Sequence, residues 1–296
     1  MQAVTNVDIS GLKLYARGKV RDVYDLGDSL LLVASDRISA FDHVLASGIP
    51  DKGKILTAIS AFWFRKLEHV SSHHLISTDA DRFPDVVGPH RELLRDRSML
   101  VKKARRIDVE CIVRGHLAGS AWKEYRLSGV VSGVRLPGGL ELNSRLDRPI
   151  FTPSTKSDEG HDRNITVPEM LDLVGREPGE EIIERSLALF DAARQVAEGV
   201  GLTIIDTKFE FGYLDDRIIL IDEIFTPDSS RFLASEAGRR EPTNLDKQFV
   251  RDYLERIGWD KNPPAPELPP DVVVEVRRRY LLILDRLTGE RPSWAM

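Results

Sequence analysis

Three ionisable side chains alternate with apolar ones in the stretch IIDTKFEFG at residues 204–212. On a β-strand, Asp206, Lys208 and Glu210 share one face, while the two phenylalanines occupy the other. A turn and a second apolar run follow, and that run ends in Asp222. The pattern predicts a β-hairpin that carries carboxylates; the alternative is an ordinary solvated strand face. Carboxylates of this kind suit Mg²⁺, an ion that keeps most of its waters and bridges to substrate phosphates.

The loop length of this hairpin decides whether Glu210 and Asp222 can share an ion. With a two-residue loop at Asp215 and Asp216, Asp222 would point away from Glu210. A three-residue loop ending at Arg217 would instead place the two carboxylates opposite each other. Because facing carboxylates repel each other without a cation, this register makes sense only with Mg²⁺ bound. We expect the three-residue loop, or a bulge with the same effect.

Two clusters near the N-terminus contain groups that can bind anions. Gly18, Lys19 and Arg21 lie in the sequence RGKVR, where a glycine beside cations lets the backbone approach a phosphate. The same residues fit an exposed basic turn, because the stretch matches neither common phosphate-loop motif. Ser39 and Asp42 lie in SDRISAFDH, directly after a predicted buried strand. Polar groups at the end of a strand often line a site.

Three clusters farther along the chain complete the set. Arg114 and Ser120 belong to RGHLAGSAW, which fits either an anion-binding bend at a helix N-terminus or an ordinary strand-to-helix turn. The segment at 150–164 is too polar for a buried element, so it is either a solvated loop or a loop that grips substrate. Its charged residues include Lys156, Asp158, Glu159, His161 and Asp162. Arg231 ends the motif TPDSSR beyond the hairpin.

The composition restricts the class of protein. With 296 residues, 42% of them hydrophobic and 30% charged, the chain fits a globular protein of one large or two ordinary domains. A net charge of −5 argues against nucleic acid as a partner. No apolar run approaches the roughly 18 residues of a membrane span and no signal peptide is evident, so we expect a cytoplasmic protein without a membrane partner. The single cysteine, Cys111, excludes an internal disulfide. No long heptad run or exposed edge identifies an oligomer, and we favour a monomer over a homo-oligomer.

Hydrophobic periodicity predicts an α+β protein. Strands are expected within residues 12–35, with a hairpin turn at 26–28, and at 99–104 and 109–113. The connection between the last two resembles, by analogy, the hinge on which an adenine can lie between two lobes. Helices are expected at 54–70, 121–127, from 167, and at 180–199, 244–257 and 271–287. We expect Asn244 to cap its helix, Arg277–Arg279 to be solvated, and His73 and His74 to lie at the surface.

Six motifs, in order, resemble those of the phosphoribosylaminoimidazole-succinocarboxamide synthase family, also called SAICAR synthetases. They are GKVRDVY, SDRISAFD, VECIVRGHLAGS, FTPSTK, IIDTKFEFG and TPDSSR. The resemblance spans about residues 12–235 and implies two lobes. Residues 1–107 would form an antiparallel, nucleotide-covering lobe similar to that of kinases and ATP-grasp enzymes. Residues 108–296 would form a larger α/β lobe that carries substrate, metal and the C-terminal helices.

The resemblance also implies a role for each matched residue. ATP would bind at Gly18, Lys19, Arg21, Lys103 and the backbone around Glu110. The phosphate of the ribonucleotide would bind at Arg114, Ser120 and Arg231, with Ser39 and Asp42 nearby. Mg²⁺ would bind at Glu210 and Asp222, and Lys156, Asp162, Lys208 and Asp206 would surround the reacting groups. Arg21 stands where some family members have lysine, and a planar guanidinium contacts phosphate in a different geometry from an ammonium.

The implied reaction joins L-aspartate to the carboxylate of carboxyaminoimidazole ribonucleotide at the expense of ATP. Phosphate transfer to that carboxylate would turn a poor leaving group into a good one, and the aspartate amine would then displace phosphate. Asp206 or Asp162 would keep the amine neutral. Two alternatives remain: a kinase or another carboxylate–amine ligase with the same nucleotide machinery, and a non-catalytic nucleotide-binding module.

Overall fold

The computed structural model describes residues 2–156, 162–235 and 242–295. Within these ranges the chain forms antiparallel sheets and helices, which confirms the α+β class. In that part of the chain, no helix combines the length and the apolar character that crossing a membrane requires.

The strands are short in the first half of the chain and longer around the predicted hairpin. In chain order they are β1 (Lys13–Arg17), β2 (Arg21–Asp25), β3 (Ser29–Ala34), β4 (Arg37–Ala40), β5 (His43–Gly48), β6 (Leu75–Ser77), β7 (Ser98–Lys102), β8 (Arg105–Arg106), β9 (Val109–His116), β10 (Val130–Val131), β11 (Val134–Arg135), β12 (Arg145–Thr155), β13 (Leu202–Leu214), β14 (Arg217–Ile221), β15 (Ser230–Ala234) and β16 (Thr243–Asn244).

Apart from the four-residue helix α2, which the sequence did not predict, the helices agree with the predicted ones to within a few residues. They are α1 (Lys52–Lys66), α2 (Arg91–Leu94), α3 (Gly119–Ser128), α4 (Val167–Val174), α5 (Arg176–Gly199), α6 (Gln248–Arg256) and α7 (Pro270–Thr288). Short 3₁₀ turns occur at Ala80–Arg82, Asp85–His90 and Ser293–Ala295.

The first sheet has five strands in the order β1-β2-β3-β7-β6. The predicted turn at 26–28 joins β2 to β3, and Gly27 adopts a φ of 89° there, in the left-handed region that favours glycine. The Gly27 N–H donates to the Asp25 side chain at 3.0 Å. This local sequence therefore determines the hairpin that follows the basic loop at 17–21.

The second sheet has seven strands and is built around β13. Its order is β12-β9-β13-β15-β16, and β8 and β14 pair with the far end of β13. The strands predicted at 99–104 and 109–113 do not pair with each other: β7 belongs to the first sheet and β9 to the second. The connection between them carries the chain from one sheet to the other.

A short segment at residues 72–74 joins the two sheets. The His74 N–H donates to the Leu220 carbonyl of β14 at 3.0 Å, and the His74 carbonyl accepts from Lys102 of β7 at 2.8 Å. His74 is only 3% exposed, so its predicted surface position is wrong, while His73 is half-buried. Two adjacent polar residues carry no signal of such a bridge, because its partners lie far away in sequence.

The register predicted for the central hairpin is wrong. Leu214 pairs with Arg217 across a two-residue loop, and Glu210 lies opposite Ile221. However, β14 ends at Ile221, and Asp222 adopts a φ of 61°, outside the strand. Side-chain alternation therefore stops before Asp222, and its orientation follows from a left-handed backbone instead of the strand register.

The last helix confirms its predicted apolar face and corrects the prediction for its arginines. The five stripe residues are buried: Val272, Val276, Tyr280, Leu284 and Leu287. Arg279 is only 8% exposed, and its guanidinium lies 3.9 Å from the centre of the Phe249 ring. Arg277 pairs with Asp51 at 2.7 Å, so only Arg278 matches the expected solvated face. These contacts attach α7 to α6 and to the start of α1.

Helix α6 begins at Gln248, three residues later than a cap at Asn244 predicts. Asn244 belongs to β16 and does not cap the helix. The Asp246 carboxylate accepts from the Gln248 N–H at 2.7 Å and from the Phe232 N–H at 2.9 Å. The buried aspartate thereby connects the start of α6 to β15.

Candidate active site

Two adjoining cavities bring most of the predicted site residues together. The larger has a volume of about 1620 Å³ and the smaller about 270 Å³. The residues that line both are Ser120, Lys208, Asp228, Ser229, Lys247 and Arg251. Ligands in the two cavities would therefore be neighbours.

The predicted residues divide between the cavities. The larger one is lined by Gly18, Lys19, Arg21, Ser39, Asp42, Glu110, Ser120, Lys156, Asp162, Lys208, Glu210 and Asp222. The smaller one is lined by Arg114, Ser120, Asp206, Lys208 and Arg231. Lys103 lines neither cavity, because its ammonium lies on the Asp25 carboxylate at 2.9 and 3.0 Å. The predicted loop members Asp158, Glu159 and His161 lie outside the described residues.

Carboxylates and ammonium groups alternate on the floor of the large cavity. Lys208 donates to Glu110 at 2.8 Å and to Glu210 at 2.9 Å, and Lys156 donates to Glu210 as well. Burial opposes ionisation of Glu210, but Lys208 and Lys156 outweigh it and lower its pKa to about 2. Burial likewise opposes the charge on Lys208, yet Glu210 and Glu110 keep its pKa well above the ordinary value. Lys208 is therefore a fixed cation and not a base.

Asp222 lies in a more negative part of the same cavity. Arg21 from β2 reaches across to Asp222 and to Glu223, the latter at 2.9 Å. Burial, with Glu210 and Glu223 nearby, nevertheless raises the pKa of Asp222 to about 6 against the attraction of Arg21. Arg21 and Lys208 favour the charged carboxylate but do not offset burial and the neighbouring carboxylates. A further cation would be favoured at this point.

His74 supports the backbone of Asp222. Its Nε2 lies 3.0 Å from the Asp222 carbonyl oxygen. Burial lowers the pKa of His74 to about 3, so the imidazole is neutral and its Nε2–H can donate to that carbonyl. Arg21 from the first sheet and His74 from the segment that joins the two sheets thus hold the side chain and the backbone of Asp222 respectively.

Glu210 and Asp222 fit a magnesium ion that also uses ligands from substrate. Both carboxylates line the large cavity, and Asp222 is poorly compensated there. In the described ranges no three acidic, histidine or cysteine side chains form a metal-binding group. Two carboxylates suit Mg²⁺, because the ion usually takes one or two protein carboxylates with water and phosphate oxygens.

The small cavity is organised around Asp206, which lies between two guanidinium groups. Arg114 Nη1 lies 3.3 Å from its carboxylate, and Arg231 donates to the same oxygen. Arg114 also donates to Ser120 Oγ at 3.1 Å and to Thr152 at 2.9 Å. Guanidinium groups and a hydroxyl are groups that can bind phosphate oxygens.

Gly119 is required beside this cluster. It adopts a φ of 57°, and a Cβ at this position would lie 2.3 Å from Arg231 Nη2. A side chain there would displace the guanidinium. The glycine in the motif RGHLAGS therefore serves the close approach of Arg231 to the start of α3.

Sequence reasoning missed three cations that line or support the cavities. Lys52 is fully buried and donates to Asp228 at 2.6 Å, and Lys247 lies 3.2 Å from the same oxygen. Arg251 lines both cavities, and among the described residues its side chain forms no hydrogen bond or ion pair. Lys247 and Arg251 are four positions apart at the start of α6. This spacing places both side chains on one face of a helix and could have indicated a pair of cations there.

The Asp228 carboxylate is fully engaged by hydrogen bonds and ion pairs with these neighbours. Its carboxylate accepts from Lys52, Lys247 and the Tyr280 hydroxyl, the last at 3.2 Å. Burial opposes its charge, but Lys247 and Lys52 lower its pKa to about 2. The cluster attaches α1, α6 and α7 to the loop between the cavities.

Comparison with known proteins identifies the family. A family model described as SAICAR synthetase matches residues 14–266. The chain is 53% identical to the phosphoribosylaminoimidazole-succinocarboxamide synthase of Pelobacter propionicus, covering 97% of this chain and 98% of that one. It is 50% identical to the synthase of Thermodesulfovibrio yellowstonii, with 97% and 99% covered.

A solved structure agrees with these sequence matches. The SAICAR synthase of Saccharomyces cerevisiae in complex with SAICAR superposes with a TM-score of 0.88 at 39% identity. The match covers 98% of this chain and 99% of that one. The chain described here therefore belongs to the SAICAR synthetase family.

Proposed function

We propose that this protein is the ATP-dependent ligase that joins L-aspartate to carboxyaminoimidazole ribonucleotide, giving SAICAR, ADP and phosphate in purine biosynthesis. One observation carries the proposal beyond family membership. A pair of guanidinium groups at Arg114 and Arg231 adjoins a cavity with a basic loop and a carboxylate floor. That arrangement accommodates a phosphate-bearing substrate beside a nucleotide.

The ribonucleotide phosphate occupies the small cavity in this proposal. Arg114, Arg231 and Ser120 bind its oxygens, and Asp206 keeps both guanidinium groups in place. Two cations hold the Asp206 carboxylate, which gives this residue a positioning role in the proposal. Asp162, which lines the large cavity, is the candidate that we assign to keeping the aspartate amine neutral.

ATP occupies the large cavity between the two sheets. Gly18, Lys19 and Arg21 face its phosphates, with Ser39 and Asp42 on the neighbouring segment. Lys156 and Lys208 neutralise the charge that develops when the γ-phosphoryl group moves to the substrate carboxylate. The aspartate amine then attacks the acyl phosphate, the C–N bond forms, and the C–O bond to phosphate breaks.

Glu210 and Asp222 would hold Mg²⁺ in this arrangement. When bound, the ion would neutralise phosphate oxygens and orient them. The carboxylates themselves keep Lys156, Lys208 and Arg21 in place until substrate arrives.

The same proposal assigns residues 1–107 to a nucleotide-covering lobe and 108–296 to a substrate and metal lobe. The crossing of the chain from β7 to β9 supports this division. We place the reaction in the cytoplasm, in a monomer that binds these small substrates and Mg²⁺ but no nucleic acid.

An assay that omits each substrate in turn tests the proposal. With Mg²⁺ present, ADP should form only when ATP, the ribonucleotide and aspartate are all supplied. ADP formation without either co-substrate would favour a kinase or another ligase. ATP binding without product for any substrate pair would favour a non-catalytic module.

A binding comparison tests the assignment of the small cavity. Arg114→Ala should weaken ribonucleotide binding far more than ATP binding, because a guanidinium–phosphate contact is charge-assisted and directional. Equal losses for both ligands would contradict the assignment.

A further inference from the structure

The basic loop at residues 18–20 is held from behind by the segment that follows β3. Arg37 Nε donates to the Lys19 carbonyl at 3.0 Å, and Arg37 Nη2 donates to the Gly18 carbonyl at 3.2 Å. The Val20 carbonyl accepts from both the N–H and the hydroxyl of Ser35, at 3.0 and 2.8 Å. Three successive carbonyls of the loop are thus bound to residues 35–37.

Arg37 is itself held rigidly. Its Nη1 donates to the Thr5 carbonyl at 2.9 Å, and its Nη2 lies 2.7 Å from the fully buried Asp22 carboxylate. All three guanidinium nitrogens are therefore used, and the planar fork fixes the directions of the loop carbonyls. A lysine at this position would have one nitrogen in place of three.

The planar peptide bond means that the directions of the loop carbonyls also fix the directions of the loop N–H groups. In a trans peptide the C=O and the N–H point in opposite directions. When Gly18 and Lys19 turn their carbonyls toward Arg37, the N–H groups of Lys19 and Val20 must point away from it. Within the described residues, neither of these two N–H groups has a hydrogen-bond acceptor.

The side of the loop away from Arg37 is the large cavity. Gly18, Lys19 and Val20 line that cavity, and Arg37 does not. Successive backbone N–H groups that face a cavity without acceptors form an anion-binding concavity. The lysine side chain adds a positive charge, and Asp42 of the neighbouring segment holds its ammonium group.

We propose that Arg37 is a positioning residue, which binds the loop carbonyls so that the N–H groups of Lys19 and Val20 face the cavity and bind the terminal phosphates of ATP. This inference rests on the proposed placement of ATP in the large cavity. Arg37 does not touch the nucleotide. Arg37 orients the loop before the nucleotide binds. Less conformational entropy of the loop is therefore lost on binding.

The test compares binding of ADP and AMP, because AMP lacks the β-phosphate. Arg37→Gln should weaken ADP binding by about tenfold or more, as expected for lost charge-assisted hydrogen bonds, and AMP binding by less than about twofold. Arg95→Gln is the charge-matched control, since Arg95 is bound to Asp81 on the surface. It should leave both affinities unchanged. Equal weakening of ADP and AMP, or no weakening of either, would overturn the proposal.

A purely structural role for Arg37 predicts a different pattern. It would lower the melting temperature and the turnover number while the ratio of ADP to AMP affinity stays constant. Arg37→Lys, which keeps the charge but offers one nitrogen, should lie between wild type and Arg37→Gln in ADP affinity. If the lysine variant matched wild type in ADP affinity, the fork geometry would be irrelevant and the proposal would be overturned.

A measurement on the unaltered protein avoids any folding defect. ADP should slow amide hydrogen exchange at Lys19 and Val20 by about tenfold or more, because the phosphate becomes their acceptor. Unchanged exchange at both amides in ADP-saturated protein would overturn the inference. If the wild-type protein bound no ADP at all, the proposed function itself would fail, which separates the two outcomes.

Discussion

Asp206 and Asp222 are the same residue type on the same hairpin, yet their surroundings give them opposite roles. Asp206 lies within β13, between the guanidinium groups of Arg114 and Arg231. Asp222 follows β14 in a left-handed backbone conformation, and burial and nearby carboxylates raise its pKa to about 6. The first aspartate is compensated by the protein. The second has charge left for a cation that arrives with substrate.

This comparison distinguishes a structural anion from a ligand-binding anion. Removing a saturated buried carboxylate leaves its cations without a partner, which costs stability. Removing a carboxylate whose charge the protein does not balance relieves its repulsion with neighbouring carboxylates. The same change weakens the binding of a cation at that position.

Asp206→Asn should lower the free energy of unfolding by about 3 kcal/mol, because the buried Arg114 and its neighbour Arg231 lose their shared counter-ion. Urea unfolding monitored by circular dichroism measures the change. Asp222→Asn is the matched control and should stay within about 1 kcal/mol of wild type, since Arg21 keeps Glu223. Equal destabilisation by the two variants would contradict the assignment of a structural role to Asp206 and a ligand-binding role to Asp222.

Asp222→Asn should reduce kcat/KM by about 100-fold, which corresponds to about 2.7 kcal/mol of transition-state stabilisation. The lost charge weakens the hold on the phosphate-bound cation. Steady-state kinetics at several Mg²⁺ concentrations measure the loss, and additional Mg²⁺ should restore part of the activity. Wild-type kinetics in the variant would show that Asp222 binds no cation.

His74→Phe should raise the Mg²⁺ concentration needed for half-maximal activity by about fivefold to tenfold. The variant leaves the Asp222 carbonyl without its donor, a loss of about 1 kcal/mol. His74→Gln, whose amide can donate to the same carbonyl, should retain most of the wild-type Mg²⁺ dependence. Identical behaviour of the two variants would show that the hydrogen bond does not position Asp222.

The smallest effect concerns Asp228, a saturated carboxylate like Asp206. Its pKa is lowered to about 2 by Lys247 and Lys52 despite burial, so its stabilising effect is present above about pH 4 and lost as pH falls toward 2. Lys247→Met should therefore destabilise the protein by a constant amount between pH 7 and 4. That cost should shrink between pH 4 and 2. A cost that grows in acid would contradict the pairing.

The sequence predicts those features whose determinants are close together along the chain. The turn at Gly27, the start of α4 at Thr166 with its capping box, and the buried stripe of α7 all follow from a few neighbouring residues. The charged face of β13 follows from alternation over a single strand. In each case the local preference agrees with the tertiary packing.

Features that depend on distant partners could not be predicted in this way. Lys52 and Asp228 are 176 positions apart, and nothing near either residue indicates the pair. The hairpin register was wrong because a strand rule was extended to Asp222, one residue past the end of β14. Arg279 could have been recognised, since it follows Val276 by three residues and so borders the apolar stripe.

Binding of Mn²⁺ tests the central claim most directly, because this ion takes the same oxygen ligands as Mg²⁺ and is visible by electron paramagnetic resonance. In the presence of ADP, the wild-type protein and folded Asp206→Asn should bind Mn²⁺ with the same affinity. Asp222→Asn should bind it at least about tenfold more weakly. Equal Mn²⁺ affinity in Asp222→Asn and wild type, or a loss confined to Asp206→Asn, would contradict the assignment of the two aspartates.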